Sequence, residues 1–302
     1  MPELPEVETV ARGLQRHVAG RKILSITLGK TDFIDNPAEL ESHLPGRTIR
    51  AVERFGKFML LRLMPSEDLT RNQEEATLLV HLGMTGMLRP QAISEPQQKH
   101  THVVMRLDDG RELRYVDPRR FGRMAYLSGE RLRNELQRSG ADPLEVRLPE
   151  FTRRIGARHA RIKALLLDQT VLRGVGNIYA DESLWKAKVH PAQLGARLKP
   201  QQFCRLYGEL QNILHRAIEL HGSSISDFLD AEGRPGEYQQ HHRVYGREGR
   251  PCSRCKTAIR RITVAGRSSY LCPSCQKAPR GWRRTRRPKA AKAKHASKPS
   301  KR

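Results

Sequence analysis

The chain lacks any apolar run near the roughly 20 residues that a membrane-spanning helix needs. It also lacks a secretory signal, because its opening, MPELPEVETV, is acidic and amphipathic rather than basic and apolar. Cysteine is scarce, five in 302 residues, which in an intracellular chain argues against a disulfide framework. No internal repeat is visible. Acidic residues are few, 32 against 56 Lys and Arg, leaving a net charge of +24 and a pI near 10.5. A charge so far from zero favours nucleic acid or another polyanion as partner. These absences point to a cytoplasmic protein with no membrane partner.

At 37% hydrophobic and 302 residues, the chain can bury a sizeable core and divide into two or more domains. Its charge is uneven. Residues 277–302 hold twelve Lys or Arg and no acid, and the first 276 still carry +12 without them. With little apolar content, this tail reads as disordered and as a source of non-specific phosphate attraction.

Residues 1–135 mix helix and strand. Pro5 suits the first turn of a helix, Glu6 and Glu8 complement its positive end, and Val7, Val10, Ala11, Leu14 and Val18 form one face. Residues 23–30, 58–65 and 77–84 are short apolar runs that read as strands. THVVMRL and RELRYV flank Asp109-Gly110, a two-residue hairpin signal. NPAELESHL, with Asn36 as cap and Pro37 at the first position, reads as a second short helix. Residues 65–77 read as a polar surface loop. The expected N-terminal domain is a β-sandwich with flanking helices.

After a linker at 136–150 the pattern turns helical, over residues 151–242. RIKALLLDQ is one helix, and Asn177 stands where a cap would start the next. A long helix begins at Pro200, with Phe203, Leu206, Leu210, Ile213, Leu214, Ala217 and Ile218 on one face and Gly222 placed to end it. Cys204 is expected on that apolar face, as a core residue. Residues 222–243 read mostly as loop.

Cys252, Cys255, Cys272 and Cys275 are spaced C-x2-C-x16-C-x2-C over the segment 243–276. Two close thiolate pairs supply a tetrahedral structural zinc site. Four protein ligands fill the coordination sphere, so the metal has no open position for catalysis. Between the pairs, RRITVAGRSSYL alternates like a β-hairpin with Arg267 beside its glycine tip.

Structure accounts for Pro5 and Glu6 but leaves Pro2 and Glu3 without a purpose. Together with Lys57 in RFGKFMLLRL, with HLGMTGMLR, DPRRFG and GVGNIYADESLWKAKVHP, and with the cysteine ribbon, the opening MPELPEVE resembles the bacterial formamidopyrimidine-DNA glycosylase family. The resemblance runs from residue 2 to about 276. It implies an α+β fold, an N-terminal β-sandwich followed by a helix–two-turn–helix domain and a zinc ribbon. It implies damaged double-stranded DNA as partner and one structural Zn2+ as cofactor, in a monomer associated with the bacterial nucleoid.

The resemblance gives the opening residues a role. Removal of Met1 would expose a secondary amine with a pKa of about 8, partly unprotonated at neutral pH. Such an amine can attack a sugar C1′ and form an iminium. Carried over, Pro2 is the nucleophile, Glu3 the general acid, Lys57 the strand lysine of β-elimination, and Arg267 the zinc-hairpin arginine of δ-elimination. Met84, Arg119 and Phe121 match residues inserted into the hole that an extruded base leaves. His81, His100, Arg158 and Asn177 match phosphate contacts. The implied reaction removes oxidised purines and nicks the strand. Two alternatives stand beside it: an endonuclease VIII-like enzyme for oxidised pyrimidines, and a catalytically silent zinc-ribbon DNA-binding protein. The first tends to begin Pro-Glu-Gly-Pro, whereas this chain has Leu4 before Pro5.

Overall fold

The computed structural model describes residues 1–65, 75–225 and 228–282. Most of the polar stretch at 65–77 and the tail beyond 282 lie outside the described residues, as do two positions of the 222–243 loop.

The N-terminal half holds helices α1 (Leu4–Val18), α2 (Pro37–His43) and α3 (Gly129–Gln137). Its strands are β1 (Ile23–Leu28), β2 (Ile49–Phe55), β3 (Phe58–Leu63), β4 (Ala76–His81), β5 (Met87–Ala92), β6 (Thr101–Leu107), β7 (Arg111–Val116) and β8 (Arg123–Ser128). They form two antiparallel four-stranded sheets, ordered β2-β3-β4-β8 and β1-β6-β7-β5. The apolar stripe of α1, from Val7 to Val18, is buried in one core with the inner faces of both sheets. Pro90 cannot donate to a ladder, and it sits in β5, an edge strand.

The β6–β7 connection differs from the expected two-residue turn. Asp108, Asp109 and Gly110 form a three-residue loop, and Gly110 takes a φ of +79°. That is the left-handed position such a loop places at its end.

Helices α4 (Leu148–Gly156), α5 (Ile162–Leu167), α6 (Asn177–Lys186) and α7 (Pro200–Glu219) build a second core. All seven apolar residues predicted for the long helix are buried in it. Cys204 is not: it is exposed, one residue past Phe203 and about 100° round the helix from it. Gly222, with φ +81°, donates its N–H to the Ala217 carbonyl at 2.7 Å and closes the helix.

Strands β9 (Arg260–Val264) and β10 (Arg267–Leu271) form the ribbon hairpin. Its two-residue tip, Ala265-Gly266, has positive φ at both positions, 49° and 74°. Trp185 of α6 is buried with Cys252 and Cys272, so the ribbon packs onto the helical core. Residues 277–282, read as the start of the tail, also make contacts. Trp282 lies edge-on to His190 with ring centroids 4.9 Å apart.

Candidate active site and DNA interface

The chain start crosses from one core to the other. Leu4 opens α1 but belongs to the helical core, and its N–H donates to the Gly174 carbonyl at 3.0 Å. Gly174, with φ +95°, leaves Leu4 room: an added Cβ would lie 2.9 Å from its side chain. Gln169 braces this turn, accepting from the Gly174 N–H and donating to the carbonyls of Leu167 and Val175.

Glu3 is thereby delivered to the start of α6. Its carboxylate accepts the N–H of Ile178 at 3.0 Å and of Tyr179 at 3.4 Å. These are orphan donors at the positive end of a helix. The expected cap, Asn177, is instead the first helical residue, and Gly176 is the N-cap. No side chain on residue 176 could share this space, since an added Cβ would sit 2.2 Å from Glu3 Cδ. The capping charge comes from the other domain.

Glu3 is 3% exposed. Burial pushes its pKa up, against the opposing pull of Lys57 and the two helix N–H groups. Glu6 lies beneath it. Its carboxylate accepts the Glu3 N–H at 2.8 Å, the Tyr179 hydroxyl at 2.5 Å and the Ser223 N–H at 2.7 Å. Burial, then the Glu3 charge, pushes Glu6 up to about 7.

Lys57 was expected on a strand, but it occupies the β2–β3 turn, because Phe55 pairs with Phe58. Gly56 takes the positive φ, 62°, that the first position of such a turn favours. The turn is pressed against Arg173 at Gly56, and Lys57 beside it is only 8% exposed. Burial lowers its pKa, the carboxylates of Glu3 and Glu6 raise it, and Arg267 lowers it further.

Glu3, Lys57, Asn177 and Arg267 line one cavity of about 310 Å³, with Met1, Ile178, Ile225 and Tyr245. Pro2 and Met84 line an adjoining cleft with Glu6, Ser223 and Phe228. His81 ends β4 opposite Phe58, next to Lys57. Burial, then Lys57, lowers its pKa to about 4, so the ring is neutral at pH 7. Its Nδ1 accepts the Gly83 N–H, which places the proton on Nε2 as a donor.

Met84 and Phe121 project from two touching loops, 42% and 57% exposed. Arg119 stacks over the Phe121 ring at 4.6 Å. His100 is exposed with a φ of +69° and leads into the strand beside them. Arg158 is exposed past the end of α4 and does not line the cavity. The sequence reading passed over Tyr245, Ile178 and Ile225, which carry no local signal. It took Glu6 only as a helix-end charge, although Glu3 and Glu6 have the spacing of a capping box.

The four cysteine sulfurs lie within 4.8 Å of one another. Cys255 and Cys272 are 3.4 Å apart, and Cys255 and Cys275 3.6 Å. Tetrahedral zinc with bonds near 2.3 Å separates sulfurs by roughly 3.8 Å, so the cluster fits one structural Zn2+.

Comparison with known proteins agrees with this geometry. Three family models match in order. They are the formamidopyrimidine-DNA glycosylase N-terminal domain over 1–124, its H2TH domain over 140–229, and the zinc finger found in FPG and IleRS over 249–278. The formamidopyrimidine-DNA glycosylase of Herpetosiphon aurantiacus is 42% identical, over 91% of this chain and 100% of its own. That of Solibacter usitatus is 43% identical, over 92% and 100%. The chain belongs to the formamidopyrimidine-DNA glycosylase family. Lactococcus lactis Fpg in complex with an abasic site containing DNA superposes with a TM-score of 0.82 at 34% identity, covering 91% of this chain and all of that one. The same Fpg with an N7-benzyl-Fapy-dG containing DNA gives 0.83 at 34%, over 92% and 100%. The glycosylase fold of this chain is therefore α+β, with a four-cysteine zinc ribbon at its C-terminal end. No helix among the described residues is long and apolar enough to cross a membrane.

Proposed function

We propose that this glycosylase is bifunctional, excising oxidised purines such as 8-oxoguanine and formamidopyrimidines and then nicking the strand. One observation carries the reading. The chain start places Glu3 on the α6 N-terminus, in the cavity that Lys57 and Arg267 also line. Three segments far apart in sequence converge there on the residue next to Pro2.

With Met1 attached, the Pro2 nitrogen is an amide and has no lone pair to give. Removal of Met1 makes it a secondary amine. That nitrogen bonds to the sugar C1′, and the glycosidic electron pair leaves with the base. Glu3, whose pKa burial raises, gives a proton to the ring oxygen as the sugar opens to an iminium. Loss of the C2′ proton then expels the 3′ phosphate, and a second elimination expels the 5′ phosphate. Lys57, with its lowered pKa, serves the first elimination, and Arg267 binds phosphate and serves the second. His81, His100, Arg158 and Asn177 contact the backbone, with Tyr245 beside Asn177. Met84, Arg119 and Phe121 fill the hole, the arginine bonding the orphaned base. Zinc, held by the four cysteines, fixes the hairpin that presents Arg267.

The two apolar cores support a domain reading of 1–135 for the catalytic sandwich, 136–150 for a linker, and 151–242 for the helical domain. The ribbon is then 243–276 and the basic tail 277–302. We take the protein to act as a monomer in the cytoplasm, at the nucleoid.

Borohydride trapping on a duplex with 8-oxoguanine opposite cytosine, with mass spectrometry of the adduct, tests this. A stable bond to Pro2 is expected. No adduct on either this duplex or one with an abasic site would leave a silent DNA-binding protein. One Lactococcus lactis Fpg structure holds an oxidized pyrimidine containing DNA, so a thymine-glycol duplex belongs in the same test.

A further inference from the structure

Asp117 is fully buried, 0% exposed, and no cation is hydrogen-bonded to its carboxylate among the described residues. Four donors satisfy it: Thr85 from the loop after β4, Tyr115 from β7, and two N–H groups of its own loop. Oδ1 accepts the Thr85 hydroxyl at 2.7 Å and the Arg119 N–H at 3.2 Å. Oδ2 accepts the Tyr115 hydroxyl at 3.2 Å and the Gly122 N–H at 3.1 Å. The Asp117 N–H in turn donates to the His100 carbonyl at 3.1 Å. The carboxylate thus joins the loop carrying Met84 to the loop carrying Arg119 and Phe121, while the Asp117 backbone holds the segment carrying His100.

Those loops lie backbone on backbone. A Cβ on Gly83 would sit 2.4 Å from the Phe121 carbonyl carbon, and one on Gly122 would sit 1.9 Å from the Tyr115 hydroxyl. Exposed loops with apolar tips need such a tie, because burial of their own side chains cannot hold them. An ionised carboxylate has acceptor sites for all four donors, whereas a carboxamide has one acceptor oxygen and a donor in place of the other.

We propose that Asp117 is the positioning residue that sets Met84, Arg119 and Phe121 in one rigid wedge before DNA arrives. It touches neither the reacting atoms nor the cavity of Glu3. The proposal rests on the reading of those three residues as the wedge. It says that the wedge is built in advance by a single buried carboxylate rather than assembled on the duplex.

The test compares two substrates. Excision of 8-oxoguanine from a duplex requires the hole to be filled, while cleavage of an abasic site in single-stranded DNA does not. Asp117→Asn should lower kcat/KM on the duplex at least tenfold and leave single-strand cleavage within twofold. It should also suppress the fluorescence rise of 2-aminopurine placed beside the orphaned cytosine. Thr85→Val, which removes one donor without adding bulk, should show the same split with a smaller loss, and it serves if Asp117→Asn fails to fold. Equal losses on both substrates, or duplex excision within twofold of wild type in both variants, would overturn the proposal. Should wild type neither excise the lesion nor form the borohydride adduct, the glycosylase reading itself fails and the proposal with it.

Discussion

Replacing Gly176 with alanine adds a single carbon atom, yet it should disable the site. The backbone is not the obstacle, since φ −128° and ψ −164° are extended values open to any residue. The obstacle is Glu3, whose Cδ, Oε1 and Cγ would lie 2.2, 2.4 and 2.5 Å from the new carbon. Glu3 cannot swing aside cheaply. It is buried, and its neighbour Leu4 is bonded to Gly174 and packed in the helical core. Either the carboxylate leaves the Ile178 and Tyr179 N–H groups or α6 recoils. A hydrogen bond to a charged group contributes about 1.5–3 kcal/mol. Counting the 3.4 Å bond to Tyr179 as weak, the loss in folding stability is about 2–4 kcal/mol. A catalytic group displaced by about 1 Å loses on the order of 100-fold in rate. The lost N–H bonds also held the Glu3 pKa down against burial. Its pKa should rise further, and with Glu3 as the proposed acid, the alkaline limb of single-turnover excision should move to higher pH. Urea unfolding and the pH profile read both effects. Gly208→Ala is the control, because an added Cβ there meets nothing within 4 Å in the middle of α7. It should gain up to about 1 kcal/mol from helix propensity. If Gly176→Ala keeps its stability and excises within twofold of wild type, the assigned place of Glu3 is wrong.

An N-terminal extension that resists removal should abolish the borohydride adduct while leaving duplex binding within about threefold, because the amide form of Pro2 cannot form an iminium; normal trapping of the extended protein would refute the nucleophile. Cys272→Ser should lose the metal by elemental analysis and weaken duplex binding at least about tenfold, since three thiolates no longer close a structural zinc site. Glu6 is raised to about 7 by burial, so the folded state holds its proton longer than the unfolded chain. The stability this proton brings is complete below about 4.5 and is lost as pH rises through about 7. Glu6→Gln should flatten that decline, worth at most on the order of 3 kcal/mol, and an unchanged stability-versus-pH curve would refute the assignment. Arg54 joins Glu8 of α1 to Asp142 in the segment before α4, both at 2.7 Å, and is nearly buried. Arg54→Ala leaves Asp142 short of a partner and should cost about 3–5 kcal/mol by urea unfolding.

Elements with a buried stripe were readable in advance, and those without one were not. Helices α1 and α7 show their faces at helical spacing, and all the named residues are buried. Helix α3 buries no residue fully and α4 only Phe151 and Ile155, so the apolar stripe of each spans only two or three residues. Strand β5 contains a proline, a residue that speaks against a strand unless the strand is at an edge. Cys204 was misplaced because adjacency to an apolar residue in sequence is a step of about 100° round a helix.

The site divides along the same line. Residue types and spacing were enough to specify the zinc ligands, the apolar helix faces and the family, because each depends on a local pattern along the chain. The proposal for Pro2 and Glu3 also starts from the sequence, since only a chain terminus makes proline an amine. Tertiary structure decided the rest. It made Glu3 the cap of α6 from another core, lowered the Lys57 pKa by burying it in a turn, made Glu6 a hub for donors from distant segments, and tied Asp117 to Thr85. Desolvation and hydrogen bonding are set by what surrounds a group in space, and those neighbours here lie as many as 217 positions away in the chain.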